Sequence, residues 1–276
     1  MRRGLHELGY IDGRDIAIEV RYADGRLDRL PGLADELVRL EPDVIVTSGI
    51  PAALALKRAT AIIPIVVAAA GDLAGNGLVM SDAAPGGNVT GIDEVSPDAS
   101  GERLTNLCEA VPLASPVAIL SSATPSTYAI QWCGTERAAQ RLRVGLKPFE
   151  VRDAADFEHA FATMMQEHVK ALIVFSGLLT AVNRVQIVGL AARHRLPTMY
   201  WSETFVHAGG LMSYGPSVPR LFHQAASLVD RVLRNTKVGL LPVQRPTKFD
   251  LFINLKTAKA LGLTVQDAVW MAISRT

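Results

Sequence analysis

The stretch Asp43-Val-Ile-Val-Thr-Ser-Gly-Ile-Pro-Ala-Ala-Leu-Ala-Leu-Lys57 decides the fold that we expect for this chain. Val44 to Val46 form a short β-branched run of the kind found in buried strands. A small polar loop follows, and Pro51 then opens an Ala/Leu-rich segment with helical character. A strand that leads through a small loop into a helix is the repeating unit of a parallel α/β sheet. Sheets of this kind bind ligands at the carboxyl ends of their strands.

The loop in this stretch, Ser48-Gly49, has the composition of a ligand loop. Small residues let a ligand approach the backbone, and the first free N–H groups of a helix favour an anion such as a carboxylate. Two interpretations stay open, since a tight strand–helix turn also needs small residues. No catalytic group stands convincingly beside the loop, so the pattern favours binding over catalysis.

Outward from this stretch, the chain contains two βαβα series, at about 1–93 and 94–205, and a tail that can cross back. Strands are predicted at 16–22, 43–47, 63–68, 117–120, 146–151, 171–175, 198–201, 210–215 and 246–254, and a turn with a short strand at 85–92. Helices are predicted at 30–40, 51–59, 97–110, 127–142, 154–167, 181–193, 218–233 and 255–261. We therefore expect an α/β fold of two doubly wound parallel-sheet lobes joined by hinge crossovers. Lobe 1 would comprise 1–93 plus about 215–240, and lobe 2 would comprise 94–214 plus about 241–276.

Helix-end residues support these boundaries. Ser96 before Pro97 and Asn254 after a strand are predicted N-caps, and Asp153 is predicted to cap the helix at 154–167. Gly262 is predicted to end the last helix. In a two-lobed fold of this kind, the strand ends of both lobes would face each other across a cleft that closes about the hinge.

Composition excludes several classes of function. With 276 residues, 49% hydrophobic and 20% charged, the chain is expected to be globular and ordered. A formal charge of +1 without a basic block makes nucleic acid an unexpected partner. No apolar stretch reaches the ~18 residues of a membrane span, and the amphipathic segment at Met1 does not have the pattern of a signal peptide.

Catalytic and metal-binding patterns are also missing from the sequence. There is no Gly-x-Ser-x-Gly elbow, no P-loop and no Cys-x-x-Cys, and the 6 histidines are scattered. Asp93 and Glu94 are adjacent and would face opposite sides of a strand, which makes them a poor acid–base pair. Cys108 and Cys133 are interpreted as packing residues, and their pairing stays open. We expect no enzyme activity, no cofactor and no metal.

Five stretches in series carry a family resemblance. They are Leu8-Gly-Tyr-Ile-Asp-Gly-Arg-Asp-Ile-Ala-Ile-Glu19, Arg29-Leu-Pro-Gly-Leu-Ala-Asp-Glu-Leu-Val38 leading into the opening stretch, Pro85-Gly-Gly-Asn-Val-Thr-Gly91, Gly209-Gly-Leu-Met-Ser-Tyr-Gly215, and 246–262 from Pro-Thr-Lys-Phe-Asp to Ala-Leu-Gly. Together they resemble the ABC transporter substrate-binding proteins of the tryptophan/phenylalanine-binding type, which have the periplasmic binding protein type I fold. The resemblance implies a periplasmic or lipid-anchored subunit, monomeric or weakly dimeric. It would deliver a small carboxylate solute, often an amino acid or aromatic acid, to a membrane permease.

The family's ligand loops follow the strands of both lobes. Carried over, they fall on Ser48, Gly49, Ile50, Ala70, Gly71, Asp72, Thr124, Pro125, Ser126, Ser176, Gly177, Trp201, Ser202 and Tyr214. For several of these residues, a purely structural role remains open beside ligand binding. Asp72 either holds a ligand ammonium or caps a turn, and Trp201 and Tyr214 either stack on a ligand or pack near the hinge.

The chain departs from the family pattern in three places. Met1 lies inside the family's first helix, so the first strand of lobe 1 is expected to be absent, and two backbone ladders would be exposed. Ala123-Thr124-Pro125 replaces the usual Asn-Pro, and the end after Leu263 lacks the usual Pro-containing helix. Two rival functions remain: a ligand-sensing regulatory domain of the same fold, and an α/β enzyme.

Overall fold

The computed structural model describes residues 1–122 and 125–263, without the side chains of Pro125 and Ser126. The elements are, in chain order, α1 (Arg2–Glu7), α2 (Leu30–Arg39), β1 (Ile45–Ser48), α3 (Ile50–Ala59), β2 (Ile65–Ala70), β3 (Val89–Asp93), α4 (Pro97–Ala110), β4 (Val117–Ser122), α5 (Pro125–Leu142), β5 (Leu146–Val151), α6 (Asp156–Gln166), β6 (Ala171–Val174), α7 (Leu178–Val182), α8 (Arg184–Arg193), β7 (Thr198–Tyr200), α9 (Glu203–His207), β8 (Met212–Gly215), α10 (Val218–Leu233), β9 (Asp250–Ile253) and α11 (Leu255–Ala260). The weak pattern noted after Leu263 lies outside the described residues.

The chain divides into two compact units, each built from two separate parts of the sequence. Unit 1 contains Met1–Glu94 and Val218–Thr247. Unit 2 contains Val95–Ser217 and, of the described residues, those from Lys248 to Leu263. No helix among the described residues is both long and apolar enough to cross a membrane.

Unit 1 is organised around β2. Its sheet has the order β1–β2–β3 with parallel pairing, and every residue of β2 is buried. Val66 and Ala68 pack in the core that α10 closes, whereas Ile65 and Val67 belong to the core beneath α2 and α3. Successive strand residues therefore serve opposite faces, as expected for a parallel sheet covered on both sides.

Unit 2 repeats this plan on a larger sheet of order β5–β4–β6–β7–β8–β9, in which only the pairing of β9 with β8 is antiparallel among the described strands. Val117 and Ile119 of β4 face the core under α4 and α5, and Ala118 and Leu120 face the core under α6 and α8. The predicted α/β class with parallel-dominated, doubly wound sheets is confirmed.

Most predicted helix ends are also confirmed. Ser96 Oγ accepts a hydrogen bond from Ala99 N–H at 3.1 Å. Asn254 Oδ1 accepts one from Thr257 N–H at 3.1 Å. Gly262 follows α11 with φ of +72°, a conformation that favours glycine.

The Asp153 cap was wrong. Ala155 occupies the N-cap position of α6, and Asp156 Oδ2 accepts from the N–H of Arg152 at 2.7 Å. The carboxylate at the start of α6 is therefore that of Asp156, inside the first turn. It accepts hydrogen bonds from the N–H groups of Arg152 and Asp153, which precede the helix.

The predicted strand at 16–22 was wrong as well, since residues 17–23 form no strand. A strand needs a neighbour that accepts and donates its backbone hydrogen bonds, and β1 pairs with β2 alone among the described strands.

Two smaller corrections concern the lengths of a helix and a strand. The helix predicted at 181–193 is divided at Asn183 into α7 and α8, and the strand predicted at 246–254 is limited to β9.

Candidate functional site

The loop after β1 places Ser48 and Gly49 at the entrance to α3. Gly49 has φ of +78° and ψ of 144°, which glycine adopts at little cost. Its N–H donates to Ala69 O at 2.7 Å, which ties the loop to the end of β2. Ser48 is exposed. No side chain caps α3, so the first-turn N–H groups of Ile50 and Ala52 are open to an anion.

The loop after β2 is a closely bonded turn around Asp72. Its backbone has φ of +54°, and its Oδ1 accepts from Gly75 N–H at 2.8 Å. Asn76 Nδ2 donates to Gly71 O at 3.2 Å and to Asp72 O at 2.8 Å. Asp72 therefore caps a turn, as one of the two interpretations held. Its other carboxylate oxygen makes none of these bonds.

Asp93 was not recognised from the sequence as a part of this edge. It is buried at the end of β3, and its Oδ1 accepts from Asp72 N–H at 3.0 Å. Ala70 O accepts from Glu94 N–H at 2.8 Å. Because Ser48 pairs with Ala69 and Ala70 with Asp93, the three strand ends of unit 1 lie side by side. The sequence signal for this role is an aspartate that ends a predicted strand.

In unit 2, the loop after β4 at 123–124, with Thr124, lies outside the described residues, as do the side chains of Pro125 and Ser126. The next loop, Ser176-Gly177, is described in full. An added Cβ on Gly177 would lie 2.7 Å from Ser122 Oγ, so the loop passes close to the end of β4 and a side chain there would require the Ser122 hydroxyl to rotate.

Gln131 holds the Ser176 loop in place and was also missed. It is buried on α5, and its Oε1 accepts from Ser176 N–H at 2.8 Å and lies 3.2 Å from Ser176 Oγ. Its Nε2 donates to Ser176 O at 3.3 Å. An amide that bonds both backbone groups of one loop residue fixes that residue's orientation. No sequence pattern separates such a glutamine from one that faces solvent.

An aromatic group lies beside this loop. Tyr128 stacks on Trp132 with ring centroids 5.7 Å apart and meets Phe175 at 5.9 Å. Burial raises the pKa of the Tyr128 hydroxyl, with smaller contributions of the same sign from Glu150 and Glu136. Tyr128 is therefore a neutral side chain near pH 7, able to donate a hydrogen bond.

Trp201 and Ser202 follow β7, and both are engaged with their own unit. Trp201 meets Phe205 edge-on at 6.0 Å, and its Nε1 is buried without a hydrogen-bond partner among the described residues. Ser202 is the N-cap of α9 and accepts from Thr204 N–H at 3.4 Å. These contacts favour the packing interpretation for Trp201.

Tyr214 lies in β8, next to the end of β7. Its ring stacks on Phe249 with centroids 5.7 Å apart, and its carbonyl accepts from Arg103 Nε at 2.8 Å. Partial burial raises the pKa of its hydroxyl. An added Cβ on Gly215 would lie 1.9 Å from Trp201 O, so β7 and β8 end in close backbone contact. The strand ends at Ser176, Trp201 and Tyr214 share one edge, because β6, β7 and β8 are parallel.

The charged groups of the described residues show no site for a metal ion. No three His, Cys, Asp or Glu side chains in the described part of the chain come together in a way that could hold one. Cys133 is exposed and Cys108 half-buried, and both are free thiols. The strand ends of the two units offer backbone N–H groups, hydroxyls, aromatic rings and the Asp72 carboxylate, of which Oδ1 bonds the turn. Groups of these kinds suit the recognition of a small polar molecule with an apolar body.

Comparison with known families gives one match over nearly the whole length. The model of the family described as "ABC transporter substrate binding protein" matches residues 1–275. A "Tyrosine-binding protein" of Clostridioides difficile (strain R20291) is 26% identical over 262 residues, which cover 95% of this chain and 75% of that protein.

Two solved structures have a similar fold. The crystal structure of a "conserved domain protein" from Vibrio cholerae O1 biovar El Tor strain N16961 matches with a TM-score of 0.86 and 25% identity, covering 98% of this chain and 90% of that one. An ABC domain from Streptococcus pneumoniae in complex with L-Trp matches with a TM-score of 0.84 and 24% identity, covering 98% and 91%.

Proposed function

Because this chain belongs to the ABC transporter substrate-binding protein family, whose periplasmic binding protein type I fold it shares, we propose that it captures an amino acid with an aromatic side chain, or a related aromatic acid. The ligand would be held between the strand-end loops of unit 1 and those of unit 2, which would close on it about the hinge. The family consists of substrate-binding proteins rather than enzymes. The observation that carries the proposal is the uncapped start of α3 directly behind exposed Ser48.

The carboxylate of the ligand would be bound in unit 1. The N–H groups of Ile50 and Ala52 begin a ten-residue helix without a side-chain cap, and the N-terminal end of a helix carries partial positive charge. The Ser48 hydroxyl adds a donor at the same strand end. A carboxylate matches these donors in charge and size, and none of them needs to move to receive it.

The ammonium group of the ligand would contact Asp72. One carboxylate oxygen of Asp72 holds the turn through Gly75 N–H, and the second would receive the ammonium. This arrangement keeps the carboxylate oriented before the ligand arrives. It reconciles the two interpretations of Asp72, since a turn-capping oxygen and a ligand-binding oxygen belong to the same fixed group.

The body of the ligand would be recognised by unit 2. Tyr214 offers a half-buried ring beside Phe249, and Ser176 offers a hydroxyl whose direction Gln131 sets. The remaining members of the proposed set are Gly49, Ala70, Gly71, Thr124, Pro125, Ser126, Gly177, Trp201 and Ser202. The names of two similar proteins, a tyrosine-binding protein and a domain crystallised with L-Trp, support an aromatic body.

Closure would make the liganded form recognisable to a membrane permease, since a ligand that binds one conformation better shifts the population toward it. Family membership supports an ABC permease as the partner and a position outside the cytoplasmic membrane, either periplasmic or lipid-anchored.

Thermal melts with matched ligand analogues test this proposal. L-Trp, L-Tyr and L-Phe should raise Tm in a concentration-dependent way, because a ligand at about 100 times its Kd stabilises the native state by ~2.7 kcal/mol. Tryptamine and tyramine lack the carboxylate and should give no shift, whereas indole-3-propionate lacks only the ammonium and should give a reduced one. Equal shifts from L-Trp and tryptamine would overturn the carboxylate assignment.

Variants of unit 1 separate binding from folding. Ser48→Ala should reduce the Tm shift caused by L-Trp, and Asp72→Asn should reduce it while retaining the bond to Gly75. Ser227→Ala changes an exposed hydroxyl on α10 of the same unit and is the control. If all three variants respond to L-Trp as the unmodified chain does, the ligand is held elsewhere.

A further inference from the structure

The Asp72 turn, residues 72–78, is a single helical turn with a well-defined end. Gly77 N–H donates to Ala74 O at 2.9 Å and Leu78 N–H donates to Leu73 O at 2.9 Å, which is the bond pair of a Schellman motif. Gly77 has the positive φ that this motif requires, +69°. A single turn is not stable by itself. Its orientation therefore depends on the groups that hold its two ends.

Apolar burial alone does not orient this turn. Leu73 and Leu78 are buried in the core beneath α2 and α3, and these contacts hold the segment against the sheet. Because the hydrophobic effect is non-directional, the rotation of the turn depends on hydrogen bonds. At the start of the turn, Asp93 Oδ1 accepts from Asp72 N–H at 3.0 Å.

Lys57 supplies the hydrogen bonds at the other end of the turn. Its ammonium group donates to Gly77 O and, at 3.0 Å, to Leu78 O. Lys57 lies in the last turn of α3, where a cation complements the helix dipole. The exposed Arg58 beside it fills that general role as well. The bonds to the two carbonyls are therefore the feature that sets Lys57 apart.

The Asp72 carboxylate is packed directly on the backbone of the turn. An added Cβ on Gly75 would overlap both carboxylate oxygens of Asp72. Gly75 N–H donates to Asp72 Oδ1 at 2.8 Å. Any rotation of the turn therefore moves the carboxylate with it.

We propose that Lys57 is a positioning residue, which fixes the Asp72 carboxylate relative to the start of α3 and so makes the site selective for α-amino acids. The inference rests on the function proposed above, in which Asp72 binds the ammonium group and the start of α3 binds the carboxylate. α3 has ten residues and is a rigid connection of about 15 Å between its first turn and Lys57. A fixed separation accepts an ammonium and a carboxylate on the same carbon, and disfavours a ligand with an extra methylene between them.

Binding constants for three matched ligands test this role. The ligands are L-Trp, L-β-homotryptophan, which has one methylene more between the ammonium and the carboxylate, and indole-3-propionate, which has no ammonium. Isothermal titration calorimetry gives Kd for the unmodified chain and three variants. Lys57→Met retains the apolar stem, and Lys57→Arg can still donate to both carbonyls. Arg58→Met removes the same charge from the next position of α3 and is the control.

Lys57→Met should weaken the binding of L-Trp about fivefold, which is the effect of losing one hydrogen bond of ordinary strength. The Kd of indole-3-propionate should not change, because this ligand does not use Asp72. The preference for L-Trp over L-β-homotryptophan should fall, and Lys57→Arg should restore most of it. Equal weakening of L-Trp and indole-3-propionate would overturn the proposal. So would an equal loss of L-Trp binding in Arg58→Met.

Amide hydrogen exchange without ligand separates a failure of this inference from a failure of the proposed function. Lys57→Met should speed exchange of the Gly75 and Leu78 amides severalfold relative to Arg58→Met. The Gly49 amide, which bonds to Ala69 O, should not change. Unchanged exchange at Gly75 and Leu78 would overturn the positioning role, whichever ligands bind. If the unmodified chain binds none of the three ligands, the proposed function fails and the selectivity assigned to Lys57 fails with it.

Discussion

The two edge strands β1 and β5 differ in residue composition. β5 has a lysine, a proline and a glutamate among its six residues, and Lys147 is paired with Glu167 at 2.8 Å. β1 has none of these, although β1 is also an edge strand in the described structure. β5 therefore has residue types that disfavour further strand pairing, and β1 has none of them.

The two units also differ in the reason why a glycine is needed where their strands end. Gly49 of unit 1 needs glycine because of its positive φ, with nothing nearer than Pro51 Cδ at 3.9 Å to an added Cβ. Gly215 of unit 2 needs glycine because a backbone oxygen occupies the place of a side chain. Unit 1 thus offers an open loop, and unit 2 a closely packed one.

The largest effect is expected from substitution in the packed loop. Gly215→Ala should lower the free energy of unfolding by about 3 kcal/mol, since the new Cβ overlaps Trp201 O and backbone must shift. Gly49→Ala should cost about 2 kcal/mol, because φ of +78° with ψ of 144° is a backbone conformation that is populated almost only by glycine. Urea denaturation measures both. Equal losses would remove the distinction between the two loops.

A matched pair of valines tests the difference between the two sheets. Val117→Ala removes two methyl groups from a fully buried position in β4 and should cost about 2 kcal/mol. Val46 is only partly buried at the edge of the unit 1 core, and Val46→Ala should cost less than about 1 kcal/mol. A loss at Val46 as large as the loss at Val117 would contradict the difference in burial between the two strands.

The hydrogen bonds between Gln131 and Ser176 should contribute about 1–2 kcal/mol to the free energy of unfolding. Gln131→Leu leaves the backbone groups of Ser176 without their partners, which costs free energy in a partly buried loop. Gln140→Leu, at an exposed position of the same helix, is the control. The expected result is a lower Tm for the first variant alone, together with faster amide exchange at Ser176. An unchanged Ser176 amide would contradict the role of Gln131.

The smallest effect is an acid sensitivity of the contact between α1 and α10 in unit 1. The pKa of Glu7 is lowered, first by its hydrogen bond with His223 and then by Arg3. The pKa of Asp230 is lowered by its hydrogen bond with Arg234, and then by that with Tyr10. Stability from lowered carboxyl pKa values is complete above about pH 5 and is lost as the pH falls through the lowered values.

Amide protection factors in α1 should therefore fall between about pH 5 and pH 2. Asp230→Asn combined with Glu7→Gln should remove most of this pH dependence and leave a lower, flat protection. If the double variant loses protection over the same range as the unmodified chain, other groups are responsible.

Much of the fold could be predicted from the sequence, because hydrophobic period and helix caps are local signals. The helix α10 was predicted with its observed bounds, 218–233, from its amphipathic pattern. The strand at 16–22 failed because strand formation depends on a partner that no local pattern supplies. Asp153 failed because two neighbouring aspartates compete for one helix start, and geometry selects between them.

The candidate site was predictable only in part. Strand-end loops follow from topology, so the positions of Ser48, Asp72 and Ser176 at strand ends could be expected. Gln131 and Asp93 could not, because each acts on a loop distant in sequence. Their roles depend on tertiary contacts that a single sequence does not encode in any local pattern.

Small-angle X-ray scattering with and without ligand tests the central claim most directly, that the loops of the two units close on one solute. The ligand is the aromatic amino acid that gives the largest Tm shift, at a concentration that saturates the protein. We predict a smaller radius of gyration with ligand, and no change with the decarboxylated analogue. Saturating binding of the amino acid with an unchanged scattering curve would contradict closure.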